Sequence, residues 1–328
     1  MKEVDIDPKM LDLITKLHDK YAISGQDLNS YLEGLLYADY LTYWDYIHLD
    51  TLLSLQNPLT TLPDETIFIG YHQITELYLK LILWEIKQIT ALEIPNEKTF
   101  MTKIHRISRY FEHLAHSFDI MSDGMSQDQF LKFRMTLFPA SGFQSAQIRF
   151  VEFASTPMIN LVAEEDRASL DPAQGIEALY GKIYWKRGAM DKGTGKKTLT
   201  LEQFEEKYSE SFIASIEEHK EKNINYLYER YYKDSSEADK IRNLLRKYDQ
   251  LINVHWRLSH FKSAVKYLQQ DPEILKASGG TNWQKYLPPR FQKISFFPQL
   301  WSKAELNDWG KTWVLKEVFQ QSSEDVHK

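Results

Sequence analysis

Hydrophobic residues recur along most of the chain at spacings of three and four, the period of a helix that buries one face. Only 13 glycines and 11 prolines interrupt 328 residues, and no strand-like alternation runs for any length. The pattern predicts helices over 8–22, 64–92, 97–121, 126–138, 211–233 and 237–270, with two more between 26 and 56. We therefore expect one all-α domain that spans 1–328.

Two other segments are less regular. GFQSAQIRFVEFAS should continue as helix after a glycine turn, whereas 171–212 has the weakest periodicity. Within it, WKRGAMDKGTGKKTLT has the composition of an exposed loop. The tail from 271 mixes loops with short helices. Pro63, Asp64 and Glu65 suit the first turn of the long helix, where acidic groups meet the positive end of the helix dipole.

Composition narrows the function classes. The chain is 43% hydrophobic with a net charge of −6 and a pI near 6.0, which gives no basic footprint for nucleic acid. Cysteine is absent, so disulfides and thiolate metal sites are excluded, and a metal would need histidine, carboxylate or tyrosine ligands. The N-terminus has no signal core, and no apolar run approaches 18 residues. We expect a cytoplasmic protein without a membrane partner.

Familiar catalytic motifs are missing. The ten histidines form no HExxH, and the sequence contains neither a GxxxxGK[ST] phosphate loop nor a GxSxG elbow. His113 and His116 lie three apart, but YFEHLAHSF is typical of an amphipathic helix rather than a metal site.

Two helical pairs combine an aromatic ring with a polar group on one face. Phe68 and His72 are four apart in FIGYHQITELYLK, and Phe130 and Arg134 have the same spacing in DQFLKFRMTLF. An arginine in so apolar a helix needs a carboxylate, because burial of an unpaired charge is costly. That carboxylate could belong to a ligand or to an internal salt bridge.

A third pair is Trp256 and His260 in VHWRLSHFKSAV. Ser263 and Ala264, one turn onward, leave room for a flat ligand over the histidine face. A histidine buried in the core is the alternative. Together, these three pairs could form a site for an anionic aromatic ligand beside a metal or haem, but spacing alone does not show that they converge.

Six ordered blocks resemble the tryptophan 2,3-dioxygenase family. They are LTYWDYIHLDTLLSLQNPL, PDETIFIGYHQITELYLK, KFRMTLFPASGFQSAQIRFVEF, WRLSHFKSAV, KASGGTN and KISFFPQLW. The third is the most specific, since it is similar to the family pattern FRxxLxPxSGFQSxQxRxxEF.

The resemblance implies an all-helical homotetramer with haem b in each subunit. By motif, His260 would be the axial ligand of the haem iron, and His72 would lie on the distal side as the catalytic residue that hydrogen-bonds the indole N–H. Phe68 would pack on the indole ring, Arg134 would pair with the substrate carboxylate, and Ser141 would lie beside the haem. The rest of the implied substrate pocket comprises Ile69, Gly70, Tyr71, Phe130 and Ser278, with Tyr43, Tyr46 and Ile47 from a neighbouring subunit.

The implied reaction is insertion of both atoms of O2 across the indole C2–C3 bond of L-tryptophan, giving N-formyl-L-kynurenine in the kynurenine pathway. The resemblance also implies that the first 60 or so residues take part in contacts exchanged between subunits. Two alternatives remain open: a haem-dependent monooxygenase or peroxygenase acting on an aromatic amino acid or indole, and a haem-free helical interaction protein.

Three positions depart from the family pattern. Pro63 stands where the family usually has histidine, before Asp64 and Glu65. Phe130 stands where tyrosine is common, and Ser278 stands where a threonine normally contacts the substrate, with Thr281 as a rival. Loss of one hydroxyl contact predicts weaker substrate binding, by about 1 kcal/mol.

Overall fold

The computed structural model describes residues 6–23, 25–91, 96–170, 175–191, 194–268 and 288–310, with the side chains of 290 and 291 excepted. Within these ranges the regular secondary structure is helical. Two isolated β-bridges, Val162 with Ile183 and Met190 with Lys197, are the only strand-like pairings there. The all-α prediction is therefore confirmed. No helix in the described ranges is both long and apolar enough to cross a membrane.

The chain divides into two compact units, one ending at Asn57 and the other beginning at Pro58. The helices of the first unit are α1 (Pro8–Ile23), α2 (Leu28–Leu36), α3 (Tyr43–Tyr46) and α4 (Leu49–Leu53). The predicted stretch LTYWDYIHLDTLLSLQ is thus two short helices. The backbone of His48 between them takes the left-handed conformation, with φ of 52°, which ends one helix before the next begins.

The second unit is built on long helices. Its helices up to residue 227 are α5 (Asp64–Thr90), α6 (Glu97–Ser122), α7 (Gln127–Phe133), α8 (Ala146–Ser155), α9 (Glu164–Arg167), α10 (Ile176–Gly181), α11 (Tyr184–Gly188), α12 (Leu199–His219) and α13 (Ile224–Leu227). Helices α14 (Ala238–Gln250) and α15 (Arg257–Leu268) follow, and short turns at Pro289–Gln292 and Lys303–Asn307 end the described part. Single turns of 3-10 helix cover Arg134–Leu137, Gly142–Gln144, Met158–Leu161 and Pro298–Leu300.

The helix predicted over 237–270 is continuous from Ala238 to Leu268, where the described residues end, but it is not uniform. A π-helical turn at Leu251–Trp256 joins α14 to α15, and another at Tyr228–Tyr232 follows α13. Wider turns of this kind often occur at functional sites, because the extra residue redirects the side chains that follow. Here the turn immediately precedes Arg257 and His260.

The core of the second unit forms where α5 packs on α6 and α8, α6 on α14 and α15, and α12 on α8. Side chains such as Leu79, Ile82, Phe111 and Tyr248 are fully buried there. A second aromatic cluster joins Tyr71 of α5 to α6, α7 and α15. Burial of an aliphatic or aromatic side chain stabilises the folded protein by about 1.5–3 kcal/mol. These two clusters therefore hold α5, α6, α14 and α15 together.

The acidic pair at the start of α5 does lie in the first helical turn, as predicted. Glu65 is buried, and its carboxylate accepts hydrogen bonds from the backbone N–H groups of Leu59 and Thr60 at 2.8 and 2.7 Å. Burial is the largest single influence on the pKa of Glu65 and by itself would raise it. The hydrogen bonds from the two N–H groups and from the Thr60 hydroxyl together outweigh burial, so the pKa is lowered. Asp64 accepts from Ser126 N–H at 2.6 Å, which ties the start of α5 to α7.

The prediction of an exposed loop at WKRGAMDKGTGKKTLT is wrong at its start, where Trp185 and Ala189 are buried. Tyr184–Gly188 is a helix, and the side chains of Trp185 and Ala189 are completely buried. Trp185 packs edge-on against Phe143 and Phe204, with ring centroids 5.8 and 5.7 Å apart. Lysines and glycines dominate the composition of the segment, but the packing of Trp185 against the core determines where the segment lies.

Candidate functional site

The second unit encloses a cavity of about 480 Å³, a size typical of small-molecule and cofactor sites. It is bounded by α5, α6, the segment between α7 and α8, α8 itself, α11 and α15. Two parts of its lining differ sharply in chemistry. The aromatic wall comprises Phe68, Tyr71, His72, Phe118 and Phe130, and the charged wall comprises Arg149, Glu152, Tyr184 and Arg257.

Helix α5 supplies a complete stripe to the cavity. The residues that it contributes follow the helical period on one face: Phe68, Tyr71, His72, Thr75, Glu76 and Leu79. The rings of Phe68 and His72 lie 4.2 Å apart with a tilt of 40°. Four-residue spacing therefore produces the aromatic and imidazole pair that the sequence predicted.

The hydrogen bonds of His72 determine which of its ring nitrogens faces a ligand. Its Nδ1 lies 2.7 Å from the carbonyl oxygen of Phe68. A carbonyl oxygen only accepts, so Nδ1 carries the proton and Nε2 is left as an acceptor in the neutral ring. Burial lowers the pKa of His72 and favours that neutral form, against the smaller opposing effects of this hydrogen bond and of Glu76.

Residues 139–145, which we call the distal segment, lie opposite Nε2 of His72. A Cβ on Gly142 would be 4.0 Å from that nitrogen. Ser141 caps the short turn that follows: its hydroxyl accepts from Phe143 N–H at 3.3 Å, and its own N–H donates to Gln144 Oε1 at 3.3 Å. The motif SGFQS thus forms a self-bonded turn that places a glycine beside the histidine.

His260 projects into the same cavity from α15. Its ring stacks on Phe118 of α6, with centroids 5.5 Å apart and an interplanar angle of 22°. Burial, with a smaller contribution from His72, lowers the pKa of His260 to about 4. A neutral imidazole with a free lone pair is the form that ligates a metal. Ser263 and Ala264, one turn onward, also line the cavity.

The residues of the charged wall form a hydrogen-bonded cluster. Arg149 donates to both carboxylate oxygens of Glu152 at 3.1 and 3.2 Å and to the Tyr184 hydroxyl at 3.0 Å. Arg257 donates to the same hydroxyl at 2.8 Å and to Glu152 at 3.4 Å. Tyr184 in turn donates to Glu152. Two buried guanidinium groups thus share one buried carboxylate.

A buried polar chain connects this cluster to the closing motif KISFFPQLW. Arg257 donates to Asn253 Oδ1 at 3.0 Å, and Asn253 donates to Asp249 Oδ1 at 2.7 Å. Asp249 is completely buried, and burial raises its pKa despite these bonds. Its remaining donors all come from the closing motif: the Ser295 hydroxyl, the N–H groups of Phe296 and Phe297, and the Trp301 indole.

The structure brings together six of the residues singled out from the sequence. Those lining the cavity are Phe68, Tyr71, His72, Phe130, Ser141 and His260. Ile69, Gly70 and Arg134 are not part of its lining in the described structure. Arg134 is nevertheless buried at the start of the 3-10 turn after α7, and burial lowers its pKa. Tyr43, Tyr46 and Ile47 belong to the first unit, and Ser278 and Thr281 lie outside the described residues.

Sequence reasoning missed the charged wall. Arg149 and Glu152 stand in the quoted block SGFQSAQIRFVEF, and their i, i+3 spacing was the available signal for an ion pair. Tyr184 carried no signal, because it lies in the least regular segment. Arg257 stands beside Trp256 in WRLSH, yet only the fold brings it to Glu152, 105 residues away along the chain.

The described residues contain no group of three histidine, aspartate or glutamate side chains able to hold a bare metal ion. A metal at His260 would therefore need most of its ligands from a cofactor rather than from those residues.

Comparison with known proteins gives a consistent assignment. The family model described as tryptophan 2,3-dioxygenase matches residues 34–158. A tryptophan 2,3-dioxygenase of Ruegeria sp. (strain TM1040) is 26% identical over 284 residues, which cover 81% of this chain and 92% of the relative. One from Bacillus thuringiensis subsp. konkukian (strain 97-27) is 28% identical over 282 residues, with the same coverage of both chains.

A shorter match is closer in sequence. A tryptophan 2,3-dioxygenase of Polaromonas naphthalenivorans (strain CJ2) is 39% identical over 115 residues, which cover 35% of this chain and 40% of the relative. The motifs that line the cavity, its two histidines and these matches agree. Over most of its length the chain is similar to tryptophan 2,3-dioxygenases.

Proposed function

We propose that this protein is a haem-dependent dioxygenase that converts L-tryptophan and O2 to N-formyl-L-kynurenine. The observation that carries the proposal is the convergence, in one cavity of about 480 Å³, of a neutral His260 and a Phe68–His72 pair. Both oxygen atoms enter the product across the cleaved C2–C3 bond, so the reaction needs no external reductant in its overall balance.

The cavity residues fit haem b in three respects. His260 offers a neutral imidazole as the single protein ligand. Aromatic and aliphatic side chains dominate the remaining lining and suit the flat apolar macrocycle. Arg257 on the charged wall lines the cavity, and a guanidinium group suits the carboxylates at the edge of haem. When bound, haem supplies the iron chemistry that activates O2, and the protein provides position and electrostatics.

His72 would accept a hydrogen bond from the indole N–H of the substrate. Nδ1 is already committed to the Phe68 carbonyl, so Nε2 is the acceptor that remains available. An indole N–H is a very weak acid, and burial also lowers the basicity of the imidazole. The role that suits this group is therefore positioning through a hydrogen bond rather than removal of the proton.

Phe68 and Arg134 would orient the rest of the substrate. The Phe68 ring packs on His72, on Phe130 at 6.1 Å and on Phe133 at 5.6 Å, which fixes its plane for stacking on the indole. Arg134 follows Phe133 directly; the family resemblance implies that it would pair with the substrate carboxylate, although it does not line the described cavity. A substrate fixed at both ends cannot slide over the reacting centre, and this restriction lowers the entropic barrier to reaction.

We further propose a homotetramer in which the first unit exchanges contacts between subunits. In this unit Leu28 is the one buried apolar side chain among those described, while Tyr43, Trp44 and Tyr46 are more than half exposed. Contiguous exposed aromatic residues mark interaction surfaces. Tyr43, Tyr46 and Ile47 would then help to close the pocket of a neighbouring subunit.

The test is a product assay on protein reconstituted with haem and reduced without oxygen. Addition of L-tryptophan and then O2 should give the absorbance of N-formylkynurenine, and mass spectrometry with ¹⁸O2 should show two labelled oxygen atoms in each product molecule. Incorporation of one oxygen atom, or turnover only with peroxide, would contradict the proposal.

A further inference from the structure

The role of the segment around 185–200 does not follow from its sequence, and the structure places it against the distal segment. Trp185 packs edge-on against Phe143, whose backbone forms part of the turn beside His72. After the bridge between Met190 and Lys197, the chain enters α12 with Thr200 in its first turn. Thr200 is completely buried.

Thr200 holds both ends of the distal segment. Its hydroxyl donates to the carbonyl of Pro139 at 2.9 Å, and its own carbonyl accepts from Gln144 Nε2 at 3.2 Å. Pro139 and Gln144 lie on either side of Ser141 and Gly142. One residue of α12 therefore closes a loop of hydrogen bonds around Gly142, which lies beside His72.

Gln144 connects the hydrogen bonds of Thr200 to the turn that Ser141 caps. Its Oε1 accepts from Ser141 N–H while its Nε2 reaches Thr200, so a single amide connects the turn to the helix. Gly142, inside the turn, would bring a Cβ to 4.0 Å from Nε2 of His72. Movement of the segment by a fraction of an ångström would change the space available beside that acceptor.

The N-terminal turn of α12, which contains Thr200, is held in place by further contacts. Lys186 and Lys197, from the two sides of the bridged loop, form ion pairs with Glu205 of α12 at 2.7 and 2.6 Å. Thr198 caps the helix by accepting from Leu201 N–H at 3.3 Å. The loop residues thus serve to hold the N-terminal turn of α12 in place.

We propose that Thr200 is a positioning residue that sets the distance between the distal segment and His72, and thereby the affinity for the indole substrate. This inference rests on the proposed function for its kinetic consequence. Its structural part, that the Thr200 hydroxyl orders residues 139–145, holds independently of that function.

The experiment compares Thr200→Val, which keeps the shape but removes the hydroxyl, with Thr200→Ser, which restores the hydroxyl. Thr156→Val is the matched control: Thr156 is also buried and donates to a distant backbone carbonyl, that of Phe296 at 2.6 Å, which is not part of the distal segment. Thr200→Val should raise KM for L-tryptophan about fivefold to tenfold, the loss expected for one hydrogen bond, with a smaller change in kcat. Thr200→Ser should stay within about twofold of the wild type.

Hydrogen exchange in the haem-free protein gives the second measurement. The amides of 141–145 should exchange faster in Thr200→Val than in the wild type or in Thr156→Val. If the wild type makes no N-formylkynurenine, the proposed function fails, yet this exchange measurement still decides whether Thr200 orders the segment. If Thr200→Val does not fold, Gln144→Leu removes the other bond and should give the same faster exchange.

Equal KM values for the wild type and Thr200→Val would overturn the proposal, as would equal exchange at 141–145 in foldable variants. A Thr200→Ser protein as impaired as Thr200→Val would also overturn it, because the hydroxyl would then not be the group that acts.

Discussion

The aromatic wall and the charged wall line the same cavity but are held together in opposite ways. On the aromatic wall, Phe68 and His72 are fixed by ring contacts and one backbone hydrogen bond, and Nε2 of His72 remains an acceptor. On the charged wall, Arg149, Glu152 and Arg257 bond to one another and to Tyr184. The aromatic wall is suited to contact a substrate that binds and leaves. The charged wall is suited to hold a cofactor that stays bound.

The largest effect should follow from breaking the charged wall. Glu152→Gln leaves two buried guanidinium groups without their shared carboxylate, and loss of one partner of a buried ion pair costs about 3–5 kcal/mol. Urea unfolding of the haem-free protein measures this change. The matched control is Asp239→Asn, which breaks an exposed i, i+3 pair with Arg242 and should cost less than about 1 kcal/mol. Equal losses in the two variants would contradict the structural role of the charged wall.

A smaller effect is expected on the aromatic wall. His72→Ala removes the acceptor for the indole N–H and should lower kcat/KM for L-tryptophan about tenfold, the value of one hydrogen bond. Stability and haem content should change little. His113→Ala is the control, since His113 is an exposed histidine that stacks on Tyr78 outside the cavity. An unchanged kcat/KM in His72→Ala would remove His72 from the proposed mechanism.

Acid should destabilise the haem-free protein partly through His72. Because burial lowers the pKa of His72 in the folded protein, the unfolded chain takes up a proton below about pH 6.5 that the folded protein does not. The free energy of unfolding should therefore fall as the pH falls from 7.5 to 5.5, by at most about 1.4 kcal/mol per pH unit for this one group. His72→Gln should flatten the dependence. The same slope in both proteins would show that His72 titrates alike in the folded and unfolded states.

The smallest effect is a predicted gain. Phe130 lines the cavity with its ring 4.8 Å from that of Tyr267, whose hydroxyl is committed to the backbone carbonyls of Met121 and Met125. Phe130→Tyr would return the hydroxyl that the family pattern has there and should lower KM for L-tryptophan about fivefold, or roughly 1 kcal/mol. A higher KM would instead indicate that this cavity is shaped for a substrate without that contact.

The two walls also differ in how far the sequence could predict them. Phe68 and His72 lie on one helix, so a four-residue spacing was enough to place them together. Long helices such as α5 and α6 likewise followed from periodicity, with ends within about two residues of those observed. The charged wall joins α8, α11 and α15, and Tyr184 reaches Arg257 across 73 residues of sequence. No local pattern encodes that contact; it depends on how the helices pack.

Thr200 illustrates the same limit. Its segment is rich in lysine and glycine, which indicated a loop, whereas its position in the fold depends on buried Trp185 and on ion pairs with Glu205. Composition averages over a segment and hides the one or two side chains that anchor it.

The most direct test of the proposed cofactor site is the visible absorbance of the purified, haem-supplemented protein and of its His260→Ala variant. The wild type should show a Soret band at one haem per chain that shifts on addition of L-tryptophan. His260→Ala should lose stable haem binding, while His113→Ala keeps it. A wild type without a Soret band, or an unchanged spectrum in His260→Ala, would contradict the assignment of this cavity as a haem site with His260 as its ligand.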